Sequence, residues 1–178
     1  MKAFYLRLHP GRTKGSSVGH PPVVQPTDRP WPAEDDDIMG LVAQIEVDGV
    51  HLQLPAVRWL QIYQSIEAGD DPQPHVVLVR RHEGPTSRPP LGVGPGLAAW
   101  RVDFEPREDP DQLPDPLDPV RDGGLFLSKL GGLDPWSEHF PGLRFLGQLH
   151  PSPAGLNFGG LSCGLYRTSS GEVIARLR

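Results

Sequence analysis

Three landmark residues occur twice along the chain, in the same order and at almost the same spacing. In the first set the glutamine lies 13 positions after the tryptophan, and the tyrosine lies 19 positions after the glutamine. In the second set these distances are 12 and 18 positions. A repeat of this kind constrains the fold more than any single element does, because both copies must form the same unit. The two sets are Trp31, Gln44 and Tyr63, and Trp136, Gln148 and Tyr166.

Glycine and proline are frequent, with 21 glycines and 22 prolines among the 178 residues, while the apolar runs are short. Such a composition disfavours long helices and favours short strands joined by long loops. The sequence therefore predicts a mainly β protein, with α+β as the alternative if one or two short helices form. Its two pseudo-symmetric antiparallel halves would share one core in a single domain. We place the N-terminal half at about 1–83, a linker at 84–96 and the C-terminal half at about 97–178.

Most strands can be placed from apolar alternation and turn signals. We expect strands over 2–9, 38–47, 57–66, 75–80, 97–104, 145–149, 160–168 and 173–177. The 75–80 run is continuously apolar, which is typical of a central strand buried on both faces. The pair Asp48-Gly49 predicts a hairpin into a further strand over 50–54, and Gly171 predicts a second hairpin turn near 168–171.

Charge is concentrated in one stretch of an otherwise mildly acidic chain. Residues 103–122 contain eight acids and two bases, whereas the whole chain has a net charge of −5. This balance argues against nucleic acid as a partner, because backbone binding needs a basic face. The proline-rich acidic segment predicts either a solvated loop or a surface for a basic protein partner, with Asp109, Asp111 and Asp115 as candidate contacts.

Catalytic and metal-binding patterns do not emerge from the sequence. The seven histidines lack ligand-like spacing, and the single cysteine, Cys163, lies in an apolar strand that predicts an inert buried thiol. We therefore predict no catalytic residue, no metal and no cofactor. The cysteine usage and the absence of a signal-peptide pattern or a spanning apolar run predict a cytoplasmic protein that does not enter a membrane.

The glutamines and tryptophans of the repeat are the remaining candidates for a binding site. Gln44 and Gln148 lie among apolar residues, where a half-buried amide needs hydrogen-bond partners. Each amide either ties down a loop backbone or lines a cleft between the halves where a peptide or polar ligand docks. Trp31 and Trp136 follow proline-bearing turns, where they either plug the ends of the sheet or stack on a ligand.

The residues around the second tryptophan carry a family resemblance. Residues 128–136, which include Lys129-Leu130-Gly131-Gly132, together with 145–149, resemble the signature of the YwqG-like family, a bacterial domain family of unknown function. Residues 39–45, 54–55 and 60–63 are similar to the N-terminal half of that family. The resemblance implies a β-rich fold of two related halves with no established activity.

The resemblance also implies an association with secreted bacterial toxins, which small acidic cytoplasmic proteins neutralise by binding. The leading functional hypothesis is therefore a non-enzymatic binding protein, such as an immunity protein that meets a basic toxin domain through residues 103–122. The alternative is a small-molecule or peptide binding module that uses the cleft between the halves. An enzyme is the third hypothesis, and its sequence support is weakest because no nucleophile–base pair is evident.

Overall fold

The computed structural model describes residues 2–11, 15–18, 32–34, 37–65, 74–81, 100–109, 128–150 and 161–178. They form eleven strands and no helix. The strands are β1 (Lys2–Pro10), β2 (Ser17–Val18), β3 (Ala33–Glu34), β4 (Asp37–Glu46), β5 (Val57–Ser65), β6 (His75–Arg80), β7 (Trp100–Glu108), β8 (Lys129–Gly131), β9 (Arg144–Leu149), β10 (Cys163–Arg167) and β11 (Val173–Leu177).

Ten strands form one antiparallel sheet in the order β11-β10-β9-β8-β1-β7-β2-β4-β5-β6, and the short β3 pairs with β4. The order is symmetric about its centre, where β1 pairs with β7. The strands that follow β1 in sequence extend outward beyond β7, and the strands that follow β7 extend outward beyond β1. Each half's first strand lies beside the second strand of the other half, so β1 pairs with β8 and β7 pairs with β2. The predicted mainly β fold is confirmed, and the two halves interleave at the middle of the sheet.

The two glutamine strands repeat each other pair by pair. In each half a bulged residue lies two positions before the glutamine: Val42 before Gln44, and Leu146 before Gln148. A bulge shifts the alternation of side chains between the two faces of a strand. This shift explains why both runs are apolar at successive positions in the sequence. The equivalent cross-strand pairs are Leu41–Tyr63 and Phe145–Tyr166, Ala43–Ile62 and Gly147–Leu165, and Gln44–Gln61 and Gln148–Gly164.

One face of the sheet packs into a single apolar core that draws on both halves. The sheet curls far enough for its end strands, β6 and β11, to contact each other. Ile45, Leu60 and Ile62 from the first half meet Leu130 and Leu165 from the second half in this core. We call this side the core face. A smaller cluster of Met39, Leu41 and Tyr63 packs on the opposite face, which we call the outer face.

The predicted strand over 50–54 is wrong, and the Asp48 carboxylate gives the reason. Its Oδ1 accepts the backbone N–H groups of Val50 and His51 at 2.8 and 2.9 Å, which folds the chain into a turn. Asp side chains compete in this way with ladder hydrogen bonds. Residues 47–56 are therefore a loop between β4 and β5, and Val50 is 64% exposed.

Three further strand predictions need comment. The strand β6 lies at one end of the sheet order instead of at its centre, and β11 lies at the other end. The strand β7 continues through Pro106 to Glu108, four residues beyond the predicted end at residue 104. Ladder hydrogen bonds alternate between the two sides of a strand. On the side of β7 that faces β2, only Trp100 and Arg101 are paired, so Pro106 has no partner strand to lose there. The predicted turn before β11 is confirmed, with Gly171 at a φ of 89°.

The domain division stays a prediction, since the linker 84–96 lies outside the described residues.

Close packing at Gly147 makes it a sensitive test of the paired registers. A Cβ on Gly147 would lie 2.5 Å from the Lys129 carbonyl oxygen and 2.9 Å from Leu130 Cδ2, whereas the equivalent Ala43 is fully buried with its own Cβ. We expect Gly147→Ala to lower the free energy of unfolding in urea by about 1–3 kcal/mol through overpacking. The exposed Glu172→Ala is the control, and a Gly147→Ala variant as stable as the wild type would contradict the register of β8 and β9.

Candidate functional site

The outer face of the sheet contains two rows of buried side chains at equivalent positions of the two halves. The first row crosses β2, β4 and β5 at Ser17, Gln44 and Gln61. The second row crosses β8, β9 and β10 at Lys129, Gln148 and Gly164. All six residues except Gly164 have polar side chains, and those five side chains are at most 1% exposed. Both predicted glutamines therefore lie in the middle of a buried row.

A short hydrogen-bond chain fixes the amides of the first row. Gln61 Nε2 donates to Gln44 Oε1 at 2.9 Å, and the Tyr63 hydroxyl donates to Gln61 Oε1 at 3.0 Å. Burial raises the pKa of the Tyr63 hydroxyl well above its usual range, so Tyr63 stays a donor at neutral pH. With its oxygen bonded to Gln61, the Gln44 side chain directs its amide nitrogen elsewhere.

Three buried polar groups of the first row and its neighbour have no hydrogen-bond partner among the described residues. They are the Ser17 hydroxyl, the Gln44 amide nitrogen and the Trp59 indole nitrogen. Trp59 lies two positions before Gln61 on β5, on the same face. A buried donor without a partner costs about 1–3 kcal/mol, and buried polar groups are nearly always hydrogen-bonded. We call these three side chains the donor cluster.

The second row is built around a buried ion pair. The Lys129 ammonium pairs with the Asp109 carboxylate, and both side chains are inaccessible to solvent. The Tyr5 hydroxyl donates to Asp109 Oδ1. The Leu133 N–H donates at 2.9 Å to Asp109 Oδ2, the oxygen that also accepts from Lys129. Burial, followed by the hydrogen bond to Asp109, raises the pKa of Tyr5. Burial lowers the pKa of Lys129, although Asp109 opposes that shift.

The Gly131-Gly132 turn of the sequence motif sits directly on this ion pair. Gly132 has a φ of 81°, and a Cβ there would collide with the Asp109 carboxylate and lie 2.8 Å from Ala3 Cβ. Farther along the turn, Asp134 Oδ1 accepts the Trp136 N–H at 2.8 Å. The motif residues that suggested a family therefore cover a buried charge and position the loop around Trp136.

Asp109 corrects the expected picture of the acidic segment. The sequence predicted either a solvated residue or a contact for a basic partner, yet Asp109 is 4% exposed because it follows β7 and lies in the sheet beside Lys129. Asp103 and Glu105 are also neutralised, by Arg101 and by the pair Arg7 and Arg107 respectively. Hydrogen bonds from Arg7 and then Arg107 lower the pKa of Glu105 to about 2. The described part of the segment therefore presents little unpaired negative charge.

The other predicted site residues have mixed outcomes. Trp136 is half-buried within the turn, whereas Trp31, Asp111 and Asp115 lie outside the described residues. Gln44 and Gln148 match in register but differ in surroundings, since Gln148 faces Lys129 across the ladder where Gln44 faces Ser17. Both glutamines are fully buried within the sheet.

Sequence reasoning missed Ser17, Trp59 and Lys129 as site residues. The pairing of Ser17 with Gln44 spans 27 positions and leaves no local signal. Lys129 is the first residue of the Lys-Leu-Gly-Gly motif, but its partner Asp109 lies in the acidic segment, where a carboxylate is expected to be exposed. A lysine directly before the apolar Leu130 and the Gly131-Gly132 turn was the one local signal for a buried ion pair.

Cys163 is a fully buried thiol, as predicted, and burial raises its pKa to about 12. Among the described ranges no group of three or more His, Cys, Asp or Glu side chains could hold a metal ion. The described residues also include no helix with the length and apolar character needed to cross a membrane.

No protein-family model matches the chain, and no curated protein sequence matches it significantly. The resemblance to the YwqG-like family therefore stays a prediction.

The ion pair can be tested by a double-mutant cycle. Asp109→Ala leaves the Lys129 charge buried without compensation, so we expect a loss of about 3–5 kcal/mol in the free energy of unfolding. Lys129→Met in the Asp109→Ala background should recover part of that loss.

The exposed pair of Arg101 and Asp103, which are each about half exposed, is the matched control. Its cycle should give a coupling of less than about 1 kcal/mol. Equal couplings for the two pairs in urea denaturation would contradict the burial of the Lys129–Asp109 pair.

Proposed function

We propose that the protein is a non-enzymatic binding protein that holds a ligand with hydrogen-bond acceptors against the donor cluster of Ser17, Gln44 and Trp59. The observation that carries this proposal is the convergence of three buried polar groups without partners on one face of neighbouring strands. A carbonyl or carboxylate oxygen of a ligand would remove the cost of leaving these donors without a partner. The proposal follows the hypothesis of a small-molecule or peptide binding module.

The surroundings of the cluster favour a preorganised site. Gln61 and Tyr63 hold the Gln44 amide in one orientation, and Met39, Leu41 and Tyr63 pack beside it. Side chains that are fixed before binding lose little conformational entropy when a ligand arrives. The indole ring of Trp59 adds an apolar surface next to its N–H donor, a combination that suits the amide groups of a peptide. We assign the binding to the cytoplasm as part of the same proposal.

The hypothesis of toxin neutralisation remains a second candidate, and the pairing of residues 103–109 narrows it. Because Asp103, Glu105 and Asp109 have cationic partners, an acidic surface for a basic toxin would have to come mainly from the other acids of the segment. Asp111 and Asp115 are the candidates named from the sequence.

Charge reversal distinguishes these two groups of acids. Asp111→Lys with Asp115→Lys should slow association with a basic protein that co-purifies from the native host by about tenfold or more at low salt. Asp103→Lys is the control, and we expect a smaller change because Arg101 already neutralises Asp103. Association rates measured over a salt series that respond equally to both changes would contradict the narrowed hypothesis.

The neighbouring serines Ser16 and Ser17 provide a test of the donor cluster that needs no known ligand. Ser16 Oγ accepts the Glu46 N–H at 2.9 Å, whereas Ser17 Oγ has no partner among the described residues. We expect Ser16→Ala to lower the free energy of unfolding by about 1 kcal/mol. Ser17→Ala should leave it unchanged or raise it, because the variant removes an unsatisfied buried group.

The same variants are then screened for ligands by thermal shift with N-acetyl amino acid amides and their free carboxylic acids. A probe that stabilises the wild type and Ser16→Ala, but not Ser17→Ala, would support the site. Equal destabilisation by both serine substitutions would show that the Ser17 hydroxyl already has a partner and would falsify the proposal.

A further inference from the structure

Three arginines surround a cavity of about 370 Å³ at the strand ends, away from both buried rows. Arg81 follows β6 in the first half, while Arg144 begins β9 and Arg167 ends β10 in the second half. Both halves therefore build this cavity, which does not include Gln44 or Gln148. Its volume lies within the range of small-molecule sites.

The charge of the cavity is unusual for this chain. None of the described residues that line it is an acid, although the chain contains 22 acids and 17 lysines and arginines. None of the three arginines forms an ion pair within the described part of the chain. The adjacent cavity, which shares Arg81, is lined by Glu46 and Asp48. The absence of acids is therefore a property of this cavity and not of the whole region.

Two of the arginines face each other at directly opposite positions of the ladder. Arg144 pairs with Arg167 across β9 and β10. Like charges in this arrangement repel and weaken a sheet, so the folded protein gains nothing from the pair by itself. A negative ligand between the two guanidinium groups would turn the repulsion into attraction.

The loop before β5 holds the third arginine in position. The Arg81 guanidinium donates to the Val47 and Val57 carbonyl oxygens at 3.2 and 3.4 Å, and its backbone N–H donates to the Ala56 carbonyl at 2.9 Å. Ala56 has a φ of 61°, a left-handed conformation that is uncommon for a residue other than glycine. Strain of this kind is concentrated at functional sites, and here it orients a cation toward the cavity.

We propose that Arg81, Arg144 and Arg167 form a binding site for a small organic anion with at least two negative oxygen groups. Guanidinium groups bind carboxylate and phosphate oxygens in a bidentate manner, and three of them match a ligand of that charge. Val47, Leu54 and Pro55 supply an apolar wall for the carbon skeleton of the ligand. The shared chemistry is the oxyanion, which a polycarboxylate or a phosphorylated compound can supply. The site is independent of the donor cluster.

Calorimetric titration of the full chain with citrate and with inorganic pyrophosphate tests the proposal, with sodium chloride at the same ionic strength as the blank. We expect saturable binding of at least one anion, with a Kd below about 1 mM. Binding of citrate alone would identify a polycarboxylate site, and binding of pyrophosphate alone would identify a phosphoryl site. Absence of saturable binding by either anion would overturn the proposal.

Arginine variants separate this site from a general effect of charge. Arg144→Gln and Arg167→Gln should each weaken binding at least tenfold, and together they should abolish it. Without the anion, both variants should melt at or above the temperature of the wild type, because repulsion is relieved. Arg101→Gln is the control, since it removes the same charge from β7, where Arg101 pairs with Asp103.

Equal binding by the wild type and the double variant would overturn the assignment to these arginines. Ser17→Ala should bind the anion like the wild type, so failure of either site can be recognised without reference to the other.

Discussion

The structure depends on the antiparallel pairing of β1 with β7, which joins nine consecutive residue pairs at the centre of the sheet. This pairing links the two halves into one sheet, because β8 attaches to β1 and β2 attaches to β7. The pair of Arg7 and Asp103 lies near the middle of the ladder, with opposite charges facing each other across the boundary between the halves. An interleaved centre of this kind makes folding of the halves interdependent, since each supplies the neighbouring strand that the other lacks.

The two halves share a backbone plan but have diverged in the chemistry of their buried rows. Ser17 and Lys129 occupy equivalent places beside the two glutamines. A lysine there requires an anion, and Asp109 at the end of β7 supplies it beneath a turn that only glycine fits closely. A buried ion pair adds little net stability compared with an apolar replacement, but it strongly disfavours arrangements that separate the charges. We therefore interpret the second row as a device that fixes the register and the turn, whereas the proposed ligand would bind at the donor cluster of the first half.

Much of the sheet could be predicted from the sequence, because the landmark spacing reflects real register. The positions of Gln44 and Gln148 relative to their tyrosines correspond to matching ladders with matching bulges. The errors came from side chains that act locally or over long separations. The Asp48 carboxylate replaced an expected strand with a turn, and average composition hid the burial of Asp109. The three arginines of the cavity lie far apart in sequence, and no local pattern could place them together.

The two proposed sites break physical rules that most of the described sheet obeys. At Gln61, Tyr63 and Lys129, buried polar groups have partners, whereas the donor cluster leaves three groups unsatisfied. Along β1 and β7, opposite charges face each other, whereas Arg144 faces Arg167. Sequences are consistent with their folds at most positions, and local violations are concentrated where function has been selected over stability. Both violations are of the kind that a ligand can resolve, one by accepting hydrogen bonds and the other by supplying negative charge. A purely structural role would account for neither of them, because each lowers the stability of the protein without a ligand.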